Sequence, residues 1–425
     1  MTQTRRRIRR PRRTSAFIGI AALALGVTVT ASGGNAHRPQ SAPGPVAAAN
    51  ESALAPCRIA ETMGVQMSEG LPTPPGYARS TGEVRALNLM VDFPDAKGEG
   101  TALDRLAEFF PQTSDWFRTS SYGRLSYKPE APIRTWLRMP MPFAAYGIER
   151  GSAYEPGYRQ LVEHIAKAAD EEVDFSRYDL VNILVTPNAG PSALDTVLSV
   201  TFSGNGEAPV VDGVPLANTS FVYSRQDDGS GSYPETGYRV LPHENGHVFG
   251  LPDLYTADGG GAVGHWDIMS EDWGANNDLL GWHKWKLGWL DGKQIGCASR
   301  SGTSEHVLSP LAVEGGTKLA FVPLSESSGY AVEVRTRAGN DEAVCKPGVL
   351  VYKVNSAVDT GQGPVTVSDS TETSGGCTRR PNVHAELSDA PFGPGETFTD
   401  EKAGVKVMVL GELRNGSYRV RITRP

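Results

Sequence analysis

Pro242-His243-Glu244-Asn245-Gly246-His247-Val248-Phe249-Gly250-Leu251-Pro252-Asp253-Leu254-Tyr255 is the stretch on which the reading of this chain turns. His243 and His247 stand four residues apart, so on a helix their imidazoles lie one turn apart on the same face. That spacing suits two nitrogen ligands of a single zinc ion, with Glu244 beside them to act on a zinc-bound water. Gly250 can end the helix in a left-handed conformation, and Pro252 forbids its continuation. Asp253 is then carried back toward the metal as third ligand, and a fourth position stays open for water, as in a catalytic site. A bare H-E-x-x-H occurs by chance in unrelated helices. The extension to H-E-x-x-H-x-x-G-x-x-D adds two fixed positions, each with a mechanical purpose.

Working outward, Gly264-His265-Trp266-Asp267-Ile268-Met269-Ser270 follows a glycine-rich connection that rules out a second helix between Tyr255 and Gly264. In the other broad class of H-E-x-x-H enzymes a glutamate on a second helix completes the metal site. Glu271 is the nearby candidate for that role, but it sits in a turn-rich loop, so Asp253 is the preferred ligand. His265 and His283 are close enough in sequence to orient a ligand or line a substrate pocket; both are read as structural, and His164 receives no role. The tryptophans 266, 273, 282, 285 and 289 are read as the core that seats the active-site loop against the C-terminal part. A sugar-stacking platform is the alternative.

The motif H-E-x-x-H-x-x-G-x-x-D followed by a tight methionine turn resembles the metzincin clan of zinc peptidases. Gly250-Leu-Pro-Asp-Leu-Tyr255, Trp266-Asp-Ile-Met-Ser270 and the tryptophan-rich run from Leu280 to Leu290 are similar to the immune inhibitor A-like family of secreted bacterial metalloproteases. The likeness extends to the stretches around Asp92, Tyr122 and Tyr352, and so covers most of the chain after Glu83. It implies zinc on His243, His247 and Asp253, Glu244 as general base, and Met269 beneath the metal. Some metzincins carry a tyrosine two residues after that methionine; this chain has Glu271 there, and the oxyanion stabiliser is unassigned.

The remainder of the chain supplies context. Its 425 residues allow two or three domains with sizeable cores. Seven arginines fall within the first thirteen residues, so the formal net charge of -7 conceals a clearly acidic body. That body argues against nucleic-acid binding and offers no basic patch to a membrane surface. The basic start, the apolar run Ala16 to Val29 and the small residues Ala31 to Ala36 read as an export signal over residues 1–36, too short for a comfortable membrane span. Residues 37–82 read as a Pro/Ala-rich linker or short pro-segment without a core of its own. Four cysteines in an exported chain suit two disulfides. Sequence proximity favours Cys345 with Cys377, leaving Cys57 with Cys297; a latency role for the Cys57 thiolate has no support in its flanks.

Residues 83–296 read as the protease domain. Val84 to Phe93 and Tyr178 to Thr186 are buried strands, Leu125 to Leu137 is a further strand, and Thr196 to Ser203 and Thr219 to Ser224 alternate as half-buried strands. Helical spacing runs from Leu103 to Phe117, interrupted at Pro111, and from Glu155 to Asp170. The polar, glycine-rich loop Asp227 to Ser232 suits calcium, although an ordinary solvated loop has the same composition. From residue 297 to 425 short strands recur without helical periodicity, as in a β-sandwich that supports the enzyme or helps to bind substrate. The resulting expectation is an α+β, monomeric, secreted zinc endopeptidase acting on protein or peptide substrates, without nucleic acid or stable membrane insertion. The rival readings are an exported β-rich binding protein with a degenerate zinc centre, and a zinc hydrolase of non-peptide amides.

Overall fold

Leu87 to Val91 is apolar except for Asn88, and a strand of that composition needs cover on both faces. In the computed structural model, which describes residues 52–148, 156–187, 189, 199–204, 208–211, 213–223, 237–256, 261–271, 278–378 and 385–425, it lies inside a sheet. This strand, β1 (Gly82–Asp92), runs parallel to β2 (Leu125–Glu130), β3 (Leu137–Arg138) and β4 (Leu180–Val185). The short β6 (Val210–Val211) and β7 (Val214–Pro215) form a separate hairpin. β8 (Thr219–Val222) is parallel to β4, and β5 (Ser199–Phe202) closes the order β2-β1-β4-β8-β5 as an antiparallel edge.

Parallel neighbours require crossovers, and here helices supply them. α1 (Ala102–Ala107) and α2 (Gln112–Ser120) link β1 to β2, and α3 (Pro156–Ala169) links β3 to β4. Period-2 alternation divides the strands between two cores. Leu87, Leu89, Val91, Val181 and Ile183 meet Leu161, Val162 and Ile165 of α3 on one face. Met90 and Leu184 meet Val240 and Leu241 of α4 (Val240–Val248) on the other. Each such side chain, fully buried, contributes about 1.5–3 kcal/mol.

Two expectations change. The strand read over Leu125 to Leu137 is two, with Pro132 in the gap between them, where a proline would give a ladder no N–H. β8 is buried throughout rather than half-buried, since it lies between β4 and β5; β5 is the half-buried edge. Residues 1–51, the loop Asp227 to Ser232, Trp273, Thr196 to Leu198 and Ser224 lie outside the described residues.

The second half contains two more sheets. β10 (Gly302–Leu308), β17 (Tyr418–Arg424), β16 (Val405–Glu412) and β15 (Thr397–Asp400) form one, in that order. β14 (Val365–Val367), β13 (Gly348–Asn355), β12 (Ser328–Arg335), β11 (Leu319–Pro323) and β9 (Ile295–Cys297) form the other. Val322, Val332, Val334 and Val351 of the latter share a core with Val405, Val407, Val420 and Ile422 of the former. The molecule is therefore mixed α/β, mostly strand, in several sheets. Among the described residues, no helix is long and apolar enough to cross a membrane.

Residue 297 lies inside β9, which pairs with β11, and every described residue falls in one unit from Pro45 to Pro425. Residues 52–81 add Leu54, Cys57, Ile59 and Leu71 to the same core as Trp266, Trp282, Trp285 and Trp289. Those four tryptophans are buried, so none offers a face for sugar stacking, and Trp282 stacks on Phe321 at 4.7 Å. The cysteines pair as Cys57–Cys297 and Cys345–Cys377. The first closes a sequence separation of 240 residues. By loop-closure entropy alone such a link is worth up to about 5 kcal/mol.

A buried charge cluster fastens the N-terminal segment to α5 (Gly281–Lys286). His283 Nε2 lies 3.0 Å from Glu69 Oε1 and its Nδ1 2.8 Å from Asp267 Oδ2, all three side chains being fully shielded from water. With a carboxylate facing each nitrogen, the ring is an imidazolium. Burial opposes that charge, but Asp267 and Glu69 outweigh it and push the pKa from 6.5 up to about 10. A raised pKa contributes stability that is complete below the unfolded value and lost as pH rises through the folded one. The thermal midpoint should therefore fall between pH 6.5 and about 10. In Glu69→Gln the upper end of that window should move to lower pH, as unfolding followed by circular dichroism across the range would show.

Candidate metal centre

All nine residues of α4 are buried, an unusual load for a helix that carries two histidines and a glutamate. Pro242 is tolerated because it sits in the first turn, where backbone N–H groups have no partner inside the helix. Gly250 ends the helix at φ 91°. Gly250 N donates to His247 O at 2.9 Å and Leu251 N to Gly246 O at 2.9 Å, the paired bonds of a Schellman turn. The reversal brings the Leu251 carbonyl back over the helix end.

That carbonyl accepts from His247 Nδ1 at 2.8 Å, and the Ile268 carbonyl accepts from His243 Nδ1 at 2.8 Å. A carbonyl only accepts, so each Nδ1 carries a proton, and in the neutral ring each Nε2 presents a lone pair. Asp253 Oδ1 lies 3.3 Å from His243 Nε2 and 3.2 Å from His247 Nε2. The three ligand-type atoms fall within 4.8 Å of one another, a group that could hold a metal ion. Asp253 Oδ1 is buried with no hydrogen bond of good geometry, although a buried carboxylate oxygen without a partner is costly. Two lone pairs and an orphaned anionic oxygen aimed at one point fit a divalent cation that accepts nitrogen and oxygen ligands.

The local electrostatics agree with that grouping. Burial alone would raise the Asp253 pKa, yet His247 and His243 hold it well below the usual carboxylate range. Burial would lower that of His247, and Asp253 more than reverses the effect. Burial pushes the Glu244 carboxyl up, moderated by His243, His247 and a hydrogen bond from Thr201.

Residues distant in sequence complete the surroundings. Asp267 locks the methionine turn, accepting from Met269 N at 2.8 Å on Oδ1 and from Leu280 N at 2.7 Å on Oδ2. Leu254 N donates to Met269 O at 3.0 Å, which ties the Asp253 loop to that turn. A Cβ on Gly246 would stand 2.4 Å from Met269 Sδ, so the glycine lets the methionine seat directly against the helix. Arg335 of β12 donates to the Trp266 carbonyl at 2.7 Å and pairs with Asp341 and Glu333. Thr360 faces Asp253 from the second half: its Oγ1 accepts from Asp253 N at 2.8 Å and lies 3.5 Å from Oδ2. Gly361 N donates to Asp253 O at 3.1 Å.

Glu271 does not join the group. It pairs with His265 at 2.5 Å, both side chains being buried. His283 belongs to the Glu69–Asp267 cluster, and His164 meets Tyr146 Oη at 2.8 Å. Thr201 and Thr360 were missed from the sequence. Thr360 lies 107 residues from Asp253 with no motif around it, and Thr201 is one polar residue in an alternating strand.

Outer groups that orient a ligand typically account for 10–100-fold in metal affinity. Thr360→Val should weaken metal binding by about tenfold or more, measured by competition with a chelator, while the far-ultraviolet circular dichroism stays unchanged. No family model matches the chain, and no curated protein does. Among solved structures it is similar to catalytically inactive OgpA from Akkermansia muciniphila, determined in complex with an O-glycopeptide, glycodrosocin, as substrate. The identity is 10%, over 84% of this chain and 98% of that one, with a TM-score of 0.26, a likeness too slight to carry an argument about fold or function.

Proposed function

We propose that this protein is a secreted, zinc-dependent endopeptidase of metzincin-like fold, as its resemblance to the immune inhibitor A-like family implies, with the C-terminal sheets as a supporting β-sandwich. The observation that carries the reading is the convergence of His243 Nε2, His247 Nε2 and Asp253 Oδ1 beside the Glu244 carboxylate. His243, His247 and Asp253 would hold the metal, which when bound polarises a carbonyl and makes a water more acidic.

The chain's own groups do the rest. Glu244 takes a proton from the attacking water and hands it to the departing amine. Burial, by raising its pKa, suits a carboxyl that must hold the proton between those two events. The carbonyls of Ile268 and Leu251 keep both imidazoles in one tautomer, and Asp253 offers a negative charge that Thr360 and the Gly361 N–H hold in place.

A peptide substrate is favoured over a small amide by the edge strand. β5 pairs only with β8 among the described residues, and Thr201 on it touches Glu244. An extended peptide adding to the outer edge of β5 would lay its backbone alongside the general base, as in strand addition. The same contact weighs against a retired centre in a binding protein, since Glu244 retains a hydrogen-bonded setting. The two disulfides and the basic and apolar start support export.

Casein or gelatin zymography of the secreted protein, with and without chelator, tests this. Cleavage should vanish with chelator and return with zinc. Glu244→Gln should keep its metal and lose about 10²–10⁴-fold in kcat. A Glu244→Gln variant with normal zinc and undiminished proteolysis overturns the assignment.

A further inference from the structure

Asparagines in the middle of buried strands are costly unless every polar atom is used, and here two lie side by side. Asn88 of β1 and Asn182 of β4 are in register, on the sheet face that meets α4, with Asn245 of the H-E-N-G-H helix above them. Their hydrogen bonds can be followed with a direction. Asn88 Nδ2 faces the Ala86 and Glu130 carbonyls, at 3.0 and 3.3 Å, so its Oδ1 must accept. It does so from Asn182 Nδ2 at 2.9 Å, whose second proton goes to Tyr127 Oη at 2.9 Å. Tyr127 then donates to Asn245 Oδ1 at 2.7 Å, and Asn182 Oδ1 accepts from Asn245 Nδ2 at 2.9 Å.

Every amide in the ladder now has one orientation. The remaining proton on Asn245 Nδ2 reaches Ser220 Oγ at 3.1 Å. Ser220 Oγ lies 3.0 Å from Thr201 Oγ1, and Thr201 Oγ1 lies 2.6 Å from Glu244 Oε2 and 3.2 Å from the Glu244 carbonyl. A hydroxyl has a single proton, and a carboxylate can only accept. The Thr201 proton therefore goes to Oε2, the shortest of its three contacts, while Ser220 Oγ, which already accepts from Asn245, is a longer alternative acceptor for it.

We propose that Thr201 is a positioning residue for Glu244: the buried ladder from Asn88 through Asn182 and Asn245 ends in Ser220 against Thr201 Oγ1 and seats that hydroxyl as a donor to Oε2, which leaves Oε1 as the oxygen that handles the proton. This rests on the peptidase reading above. It gives the ladder a use beyond satisfying its own buried groups, because the hydroxyl it seats holds the general base by one oxygen and fixes the rotation of the carboxylate. A one-oxygen tether of this kind aims the free oxygen without further cost at the moment of reaction.

Two measurements test it. The first is kinetics on a quenched fluorescent peptide, with zinc content measured in parallel. Thr201→Val should lower kcat by about ten- to a hundredfold, with KM and bound zinc unchanged, and Thr201→Ser, which keeps the hydroxyl, should recover most of it. Wild-type kcat in Thr201→Val overturns the proposal, as does failure of the serine to recover it in a variant with full zinc. The second is a double-mutant cycle on the metal-free protein, using Thr201→Val, Glu244→Ala and the pair. The drop in unfolding midpoint for the pair should be clearly smaller than the two single drops combined, because each removes the same hydrogen bond. Additive drops overturn the positioning role alone; a wild type that cleaves nothing overturns the peptidase reading, and the positioning role with it.

Discussion

Two backbone carbonyls govern the centre. As long as Leu251 O and Ile268 O each receive an Nδ1 proton, both imidazoles present Nε2 lone pairs to the same point, and the Asp253 carboxylate is drawn in against them. Neither carbonyl is where it is by accident. Leu251 O is placed by the left-handed turn at Gly250, which only glycine adopts without strain. Ile268 O is placed by Asp267, whose two oxygens accept from Met269 N and Leu280 N, while Oδ2 also faces the His283 imidazolium. His283 is in turn held by Glu69. The orientation of the His243 imidazole is thus coupled, through three buried side chains, to a segment far earlier in the chain.

That coupling explains why the molecule does not divide neatly. Thr360 and Gly361, from the loop after β13, grip Asp253; Arg335 of β12 grips Trp266; Glu333 accepts from Gly281 N at 2.7 Å and from Tyr352 Oη at 2.6 Å. Burying such charged and polar groups is tolerable only where each finds a partner, and the partners come from both halves. The C-terminal sheets are in this sense part of the wall around the metal-type site, whatever else they do.

Much of the site was legible in the sequence because its signals are local. The spacing of His243 and His247, the stop at Gly250 and the return of Asp253 all lie within eleven residues, where the geometry of a helix and a turn decides positions. The parts contributed by Thr360, Thr201 and the Asn88–Asn182 pair were not, because a hydroxyl or amide far along the chain looks the same whether it meets solvent or a carboxylate. Burial was misjudged for a related reason. β8 carries Thr219 and Ser220 and so reads as half-exposed, yet its second face, Ser220 and Val222, lies under α4 with Val240 and Leu241. Residues 52–81 carry the proline and glycine of a linker, and composition alone hides Leu54, Cys57, Ile59 and Glu69, which are individually sparse but each buried.

The link between Cys57 and Cys297 has a consequence for wear. A single cut in any exposed loop between those two cysteines would sever the chain without parting the fragments, since the sulfur bridge still spans the break. The clipped molecule would run as one species until a reductant separated it, the two fragments held by the bridge and by the buried contacts between them.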